Sequence, residues 1–356
     1  MARSGATFVG VDIGGTKVAA GLVDAHGKIL TRARTPMSAR GTAAEGLAAV
    51  QTAINAAVQD RHLEEAEGEP TTGRRRGRNR GPRPAQQAGV GSPRLKQAVP
   101  AAIGISSPGP LDPRRGIVLN PPNLPCWRNF PLARAVEKSH RLPTRVDNDA
   151  NAAALAEARW GAGRGYAAVL YATLGTGIGT GLILDGKIYH GRTGAAVEGG
   201  HISLDARGAR CGCGQRGCIE ALAAGPAVAR RAQAAVRRDP KAGAALLRLA
   251  QGNRAAIRAE TVAAAWRAGD PLATTILEES AALLARWLGA MVTVLEPEVI
   301  IFGGGMGRLM AHWFPQIRRQ LPAWSINARA GEIPLRRARY GAEAGIAGAA
   351  ALCVGA

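Results

Sequence analysis

TFVGVDIGGTK, residues Thr7 to Lys17, runs an apolar strand into a turn of two glycines and a threonine. Thr7 to Ile13 has the composition of a buried strand, and Lys17 to Asp24 and Lys28 to Thr35 read as further strands separated by the turn-prone Asp24-Ala25-His26-Gly27. Gly14 and Gly15 let backbone N–H groups approach an anion closely, and Thr16 adds a hydroxyl donor. Asp12, closing the buried strand, is suited to hold Mg2+ through water, since that ion favours few carboxylates beside phosphate oxygens. A P-loop does not fit. Gly10 and Gly15 have its spacing, but the order of Thr16 and Lys17 is wrong and no helix follows.

The same style returns in the second half. Tyr166 to Leu174 and Ile178 to Leu184 read as paired strands around Gly175-Thr176-Gly177. Because the glycines from Gly175 to Gly181 lie between strands and open no helix, a dinucleotide fingerprint is a poor match. A third turn, Gly303-Gly304-Gly305, follows the strand Val299 to Phe302 and precedes more helix. One such turn reverses a chain; three together point to nucleotide phosphates.

Between these turns, Thr42 to Asp60 has helical spacing, with Leu47, Val50, Ile54 and Val58 on one face. Val99 to Ile105 and Leu142 to Val146 read as strands, and Asp149 to Trp160 as an alanine-rich helix. Ala- and Arg-rich helices fill Ile219 to Leu295. No solenoid period is present.

The 356 residues suit two domains, and 46% apolar with 20% charged residues is the composition of a globular chain rather than a disordered one. A membrane span is not expected: the longest uncharged run, Tyr166 to Leu184, is broken by four glycines, and no secretory signal opens the sequence. Five cysteines, three of them within eight residues, suggest a reduced, cytoplasmic chain with a local metal site, not a disulfide framework.

The formal charge of +20 raises the question of a polyanionic partner. Eight of the positive charges lie without any acid between Pro70 and Ala98, a Pro-rich stretch with too few large apolar residues to fold. It reads as a disordered basic insert in a loop, either merely solvated or capturing a polyanion.

Cys211-Gly-Cys213-Gly-Gln-Arg-Gly-Cys218 offers three thiolates from one glycine-rich loop. Structural zinc takes four ligands, and His201, ten residues upstream, is the expected fourth. Cys126 and Cys353 read as ordinary buried residues.

Asp147-Asn148-Asp149-Ala150-Asn151 ends a strand and begins a helix. An ionised Asp149 near that positive helix end is well placed to take a proton from a hydroxyl, although a helix cap is the competing role. Glu198 and Glu220 flank the cysteine loop and, with Asn148, are expected to bind neighbouring hydroxyls of a polyol. A metal there would fix the loop holding His201 and Glu220 without entering the chemistry.

Together these segments resemble the ROK family (repressor, open reading frame, kinase) of the sugar kinase/actin/Hsp70 superfold. The similarity runs over nearly the whole chain outside the basic insert. It rests on Asp12-Ile-Gly-Gly-Thr-Lys17, Ser107-Pro108-Gly109-Pro110, Asn123-Leu124-Pro125-Cys126-Trp127, Asp147-Asn-Asp-Ala-Asn151, Leu174-Gly-Thr-Gly177, Glu198-Gly-Gly-His201 and the cysteine loop through Glu220. The resemblance implies an α/β chain of two ribonuclease H-like (actin-like ATPase) domains with a cleft between them, assembled as a homodimer or homotetramer. The N-terminal domain would span 1–147, completed by a C-terminal helix at 340–356, and the second domain 148–339. The resemblance also implies Asp149 as catalytic base. It puts Asn123, Asn148, Glu198, His201 and Glu220 on the sugar, and His201 with Cys211, Cys213 and Cys218 on structural Zn2+. The phosphates and Mg2+ would fall to Asp12, Gly14, Gly15, Thr16, Lys17, Gly175, Thr176, Gly177 and Gly303 to Gly305. Cys126 stands where the family more often has glycine.

Family repressors carry a winged-helix domain ahead of the first glycine turn, whereas eleven residues precede Asp12 here. The expected activity is therefore phosphorylation of a hexose by ATP. Glucose is the first choice, because the Asn123 and Glu198 segments resemble the glucokinase branch. Mannose, fructose and N-acetylhexosamines remain alternatives as acceptors, and inorganic polyphosphate as donor. A nucleic-acid binder or regulator is the distant alternative, and predicts salt-sensitive retention.

Overall fold

The computed structural model describes residues 5–59 and 99–355. The expected basic insert, Pro70 to Ala98, lies outside the described residues. The first half runs β1 (Thr7–Ile13), β2 (Lys17–Asp24), β3 (Ala33–Pro36), α1 (Ala43–Gln59), β4 (Ile103–Ser107), a small hairpin of β5 (Leu111–Asp112) and β6 (Ile117–Val118), α2 (Leu132–His140) and β7 (Thr144–Asn148). Then come α3 (Asp149–Trp160), β8 (Ala168–Leu174), β9 (Ile178–Leu184) and β10 (Lys187–Ile188). Helices α4 (Ile219–Ala223), α5 (Gly225–Arg238), α6 (Ala244–Leu249), α7 (Ala259–Arg267) and α8 (Pro271–Leu295) lead to β11 (Val299–Gly303). The chain closes through α9 (Gly304–Met310), α10 (Phe314–Gln320), β12 (Leu335–Arg337) and α11 (Ala344–Ala351).

Two five-stranded sheets carry one topology twice. Their orders are β3-β2-β1-β4-β7 and β10-β9-β8-β11-β12. In each, an antiparallel hairpin with a glycine turn is extended by two parallel strands. This is the ribonuclease H-like arrangement of actin-like ATPases, and it makes the chain α/β. No helix among the described residues is long and apolar enough to cross a membrane.

Alternation along the strands sorts the side chains into layers. From β1, Val9, Val11 and Ile13 join Ile103, Ile105 and Val146 in a core under α1 and α2. From β8 and β11, Leu170, Ala172, Leu174, Ile300 and Phe302 join a core with α4 to α8, while Val169, Tyr171, Val299 and Ile301 face the opposite way. Between the sheets lie α3 and α11, packed on each other, α11 against β1 and β4 and α3 against β8 and β9.

Small residues let α11 come so close. A methyl on Gly10 would sit 2.0 Å from the Ile346 carbonyl oxygen, and one on Gly104 would sit 1.7 Å from that of Ala349. Both obstacles are backbone, so no rotamer change relieves them. Gly104→Ala is expected to cost about 3 kcal/mol or more, the upper end of what overpacking costs. A lowered urea midpoint checks it.

Several strand boundaries differ from the sequence expectation; β8 begins at Ala168 rather than Tyr166, and β11 runs to Gly303. Of the expected Lys28 to Thr35 strand, Ala33 to Thr35 fall in β3 and Ile29 makes an isolated bridge to Val23; between them the Thr31 hydroxyl accepts from Leu22 N and donates to the Ala57 carbonyl, replacing a backbone rung. Strand β4 begins at Ile103 rather than Val99, which is 78% exposed, and continues through buried Ser106 and Ser107. Strand β7 begins after Pro143 and continues to Asn148.

Candidate active site

Strands β1, β4 and β7 are parallel, so their carboxyl ends open on one side, where ligands of α/β sheets bind. Their register sets Asp12 beside Ser106 and Ser106 beside Asp147 in one row. Alternation turns this row toward α11, the side that Gly10 and Gly104 keep clear. A methyl on Gly345, in the first turn of α11, would lie 2.2 Å from the Asp12 carboxyl carbon.

Asp149 is the first residue of α3, and Asn148 is its N-cap. Asn148 Oδ1 accepts from Ala150 N at 2.9 Å and from Asn151 N at 3.3 Å. Cap duty therefore falls on Asn148. The Asp149 side chain is exposed to solvent, and its Oδ1 accepts from Ala150 N at 2.8 Å. Surrounding protein nonetheless pushes its carboxyl above the usual range, opposed by the N–H groups of Ala150 and Asp149 and by the Asn148 side chain.

Two further carboxylates share its field. Asp12 is pushed up to about 6, first by burial and then by the charge of Asp149, with the Ser106 hydroxyl and Lys17 pulling the other way. Glu198 is raised by burial and by the charges of Asp149 and Glu220, and His201 opposes them. Crowded negative charge of this kind suits a site that receives a divalent cation and hydroxyl donors.

Glu220, one residue into α4, braces two loops. Its Oε2 accepts from Ile178 N at 2.9 Å, at the far side of the Gly175-Thr176-Gly177 turn, and its Oε1 accepts from the Cys211 thiol at 3.5 Å. That turn is also bound by Gly225 N, which donates to the Gly175 carbonyl at 2.8 Å. A methyl on Gly304 would lie 2.3 Å from the Leu174 carbonyl oxygen, so α5 and α9 both begin beside it. Thr176 is exposed and, with Arg210, Glu220 and Arg230, lines a cavity of about 120 Å³. In the first sheet, Thr16 and Lys17 are exposed. A methyl on Gly15 would lie 3.2 Å from the Asn123 carbonyl oxygen, which brings the exposed Asn123 to the first glycine turn.

The metal cluster assembles as its residues suggest. His201 Nδ1 and the sulfurs of Cys211, Cys213 and Cys218 all lie within 4.8 Å of one another. Cys211 Sγ is 3.6 Å from His201 Nδ1 and Cys213 Sγ is 3.7 Å from Cys218 Sγ. A zinc tetrahedron with sulfur arms of ~2.3 Å has sulfur–sulfur edges of ~3.8 Å, so the donor set fits Zn2+. Burial raises the Cys218 and Cys211 thiols, and a divalent cation supplies the counter-charge their thiolates need. Among the other cysteines, Cys353 is buried and Cys126 half-buried.

One pair at the site had no sequence signal. His190 Nε2 lies 2.7 Å from Asp147 Oδ2. A single histidine between Tyr189 and Gly191 has no spacing that marks it, and only the fold brings it to β7.

The sequence model of the ROK family matches residues 92–355. The glucokinase of Streptomyces coelicolor is 34% identical over 349 residues, 97% of this chain and 96% of that protein. Among solved structures, a ROK family glucokinase from Streptomyces griseus in complex with glucose and AMPPNP aligns with a TM-score of 0.75 at 34% identity, covering 97% of this chain and 98% of that one. A ROK hexokinase from Thermus thermophilus aligns with a TM-score of 0.71 at 33% identity, covering 97% of each chain.

Proposed function

Because the chain belongs to the ROK family and is a sugar kinase of its hexose-phosphorylating branch, we propose that it transfers the γ-phosphoryl group of ATP to the 6-hydroxyl of glucose, with Asp149 as general base. One observation carries this reading. Asn148 takes the cap of α3, so the Asp149 carboxylate, which accepts from the adjacent Ala150 N, is not needed as the cap while standing in one electrostatic field with Asp12 and Glu198.

In this reading the 6-hydroxyl oxygen bonds to the γ-phosphorus, the bond to the β–γ bridging oxygen breaks, and ADP leaves. Asp149 accepts the hydroxyl proton. Such transfer needs positioning and charge neutralisation more than covalent chemistry. Asp12 suits Mg2+ bound through water, which when present supplies positive charge to the phosphates. Backbone amides of the turns at Gly14-Gly15-Thr16 and Gly175-Thr176-Gly177, and the start of α9 at Gly303-Gly304-Gly305, supply further donors. Asn123, Asn148 and Glu198 read sugar hydroxyls, with His201 using Nε2 while Nδ1 faces the thiols. Glu220 holds the zinc loop to the second glycine turn and offers its carboxylate to the sugar. AMPPNP and glucose in the Streptomyces griseus enzyme support this pair of substrates.

A coupled assay crossing hexoses and hexosamines with ATP and polyphosphate tests the reading. Glucose with ATP is expected to give the highest kcat/KM. Both carboxylates act ionised, and Asp12 in the folded chain sits at about 6. The acid limb of kcat/KM should therefore fall as pH drops through about 6, by at least tenfold per unit below it. Preference for an N-acetylhexosamine or for polyphosphate, or no transfer to any hexose, would overturn the assignment.

A further inference from the structure

We propose that His190 is a positioning residue of the acceptor half of the site, clamping the segment that leads to Glu198 onto the tip of β7. The inference rests on the hexokinase reading above and adds a residue that reading does not use.

Asp147 is buried at the end of β7, next to Asn148 and Asp149. Its Oδ1 accepts from Asn148 N at 2.8 Å and from Asn151 Nδ2 at 3.2 Å, which ties it to α3. Its Oδ2 faces His190 Nε2 at 2.7 Å. A carboxylate is acceptor-only, so the N–H of His190 is on Nε2 and donates. One carboxylate thus joins the strand end, the helix that begins with Asp149, and a loop from the other sheet.

That loop is compact on the far side of His190. The His190 carbonyl accepts from Gly194 N at 3.1 Å and Ala196 N at 3.3 Å. Val197 then takes φ +60°, its carbonyl accepting from the Thr180 hydroxyl, and Glu198 follows. The loop also rests on the β5–β6 hairpin: Arg114 Nη2 donates to the Gly191 carbonyl at 3.5 Å, and a methyl on Gly194 would lie 2.7 Å from Pro113 Cδ. Glu198 lies eight residues after His190, and among the described residues the imidazole is that segment's side-chain hydrogen bond to β7. Without it, a buried carboxylate oxygen loses its partner and the span before Glu198 loses its tie to β7, keeping only its contacts to the β5–β6 hairpin and to Thr180.

Steady-state kinetics of the full chain test this. His190→Ala is expected to raise the glucose KM tenfold or more while the ATP KM stays within twofold, and calorimetry without nucleotide should show the same loss of glucose affinity. His190→Gln carries an N–H out to roughly the reach of Nε2 and should recover glucose KM to within threefold of the wild type. His190→Asn reaches only as far as Nδ1 and should behave as Ala. Should the Ala variant fold poorly, the Gln and Asn pair decides, and equal behaviour of those two overturns the inference. So does an unchanged glucose KM in His190→Ala, or an equal rise in both KM values. Wild-type chain that phosphorylates hexose with a silent His190 sinks this inference alone; wild-type chain that phosphorylates no hexose sinks the functional reading and this with it.

Discussion

Asp149→Asn is expected to lower kcat by roughly 10² to 10⁴ while the chain keeps or gains thermal stability. Two facts separate these effects. An asparagine Oδ1 can still accept from Ala150 N, and Asn148 caps α3 in either case, so the local helix start survives. The carboxylate, by contrast, is the group proposed to take the hydroxyl proton. The stability sign follows from the direction of the shift. Surrounding protein raises the folded-state value of Asp149, so the folded chain favours the protonated form and stability falls as pH rises through that value, an effect that solvent at the exposed side chain keeps small. At neutral pH an ionised Asp149 therefore opposes folding, and the amide removes the opposition. Melting curves of both forms followed down through the acid range should show any advantage of the variant shrinking as pH falls. Near-full turnover by a folded Asp149→Asn chain would refute the base assignment.

Removing the metal is expected to weaken glucose binding by about 10- to 100-fold and to lower the melting temperature, with a smaller change in ATP affinity. Cys218 is the N-cap residue of α4, and Glu220 lies in the first turn of that helix. Cys211 touches both His201 and Glu220, and Glu220 holds Ile178 N beside the second glycine turn. Loss of the ion lets these buried groups return to neutral thiols that no longer tie the four donors together, and slack passes to His201 and Glu220 together. Chelator-stripped protein and Cys218→Ser should agree, each losing one equivalent of zinc by elemental analysis. Stripped chain with unchanged glucose affinity would show that the loop needs no metal to hold its shape.

Much of the frame was legible locally. Strands β1, β2 and β9 and helix α3 fall where their patterns put them, because each carries its own periodicity and glycine punctuation. The four residues able to hold a metal were legible because three lie in one loop and the fourth nearby. Asp12, Asp149 and Glu198 could be named from their motifs, but not their mutual electrostatics, since burial raises each and no sequence pattern measures burial. The brace made by Glu220 was likewise invisible, as it joins α4 to a turn 42 residues away.

By itself, the sequence determined the repeated hairpins, the glycine turns, the cysteine-histidine donor set and the acid at the start of α3. These are features whose cause lies within a few residues. Packing across the whole chain is what lays α11 on Gly10 and Gly104, sets Asp12 in the field of Asp149, and brings His190 to Asp147 from 43 residues along the chain. Such contacts depend on how two sheets and the helices between them pack, and no local periodicity encodes the distance between residues that packing alone brings together.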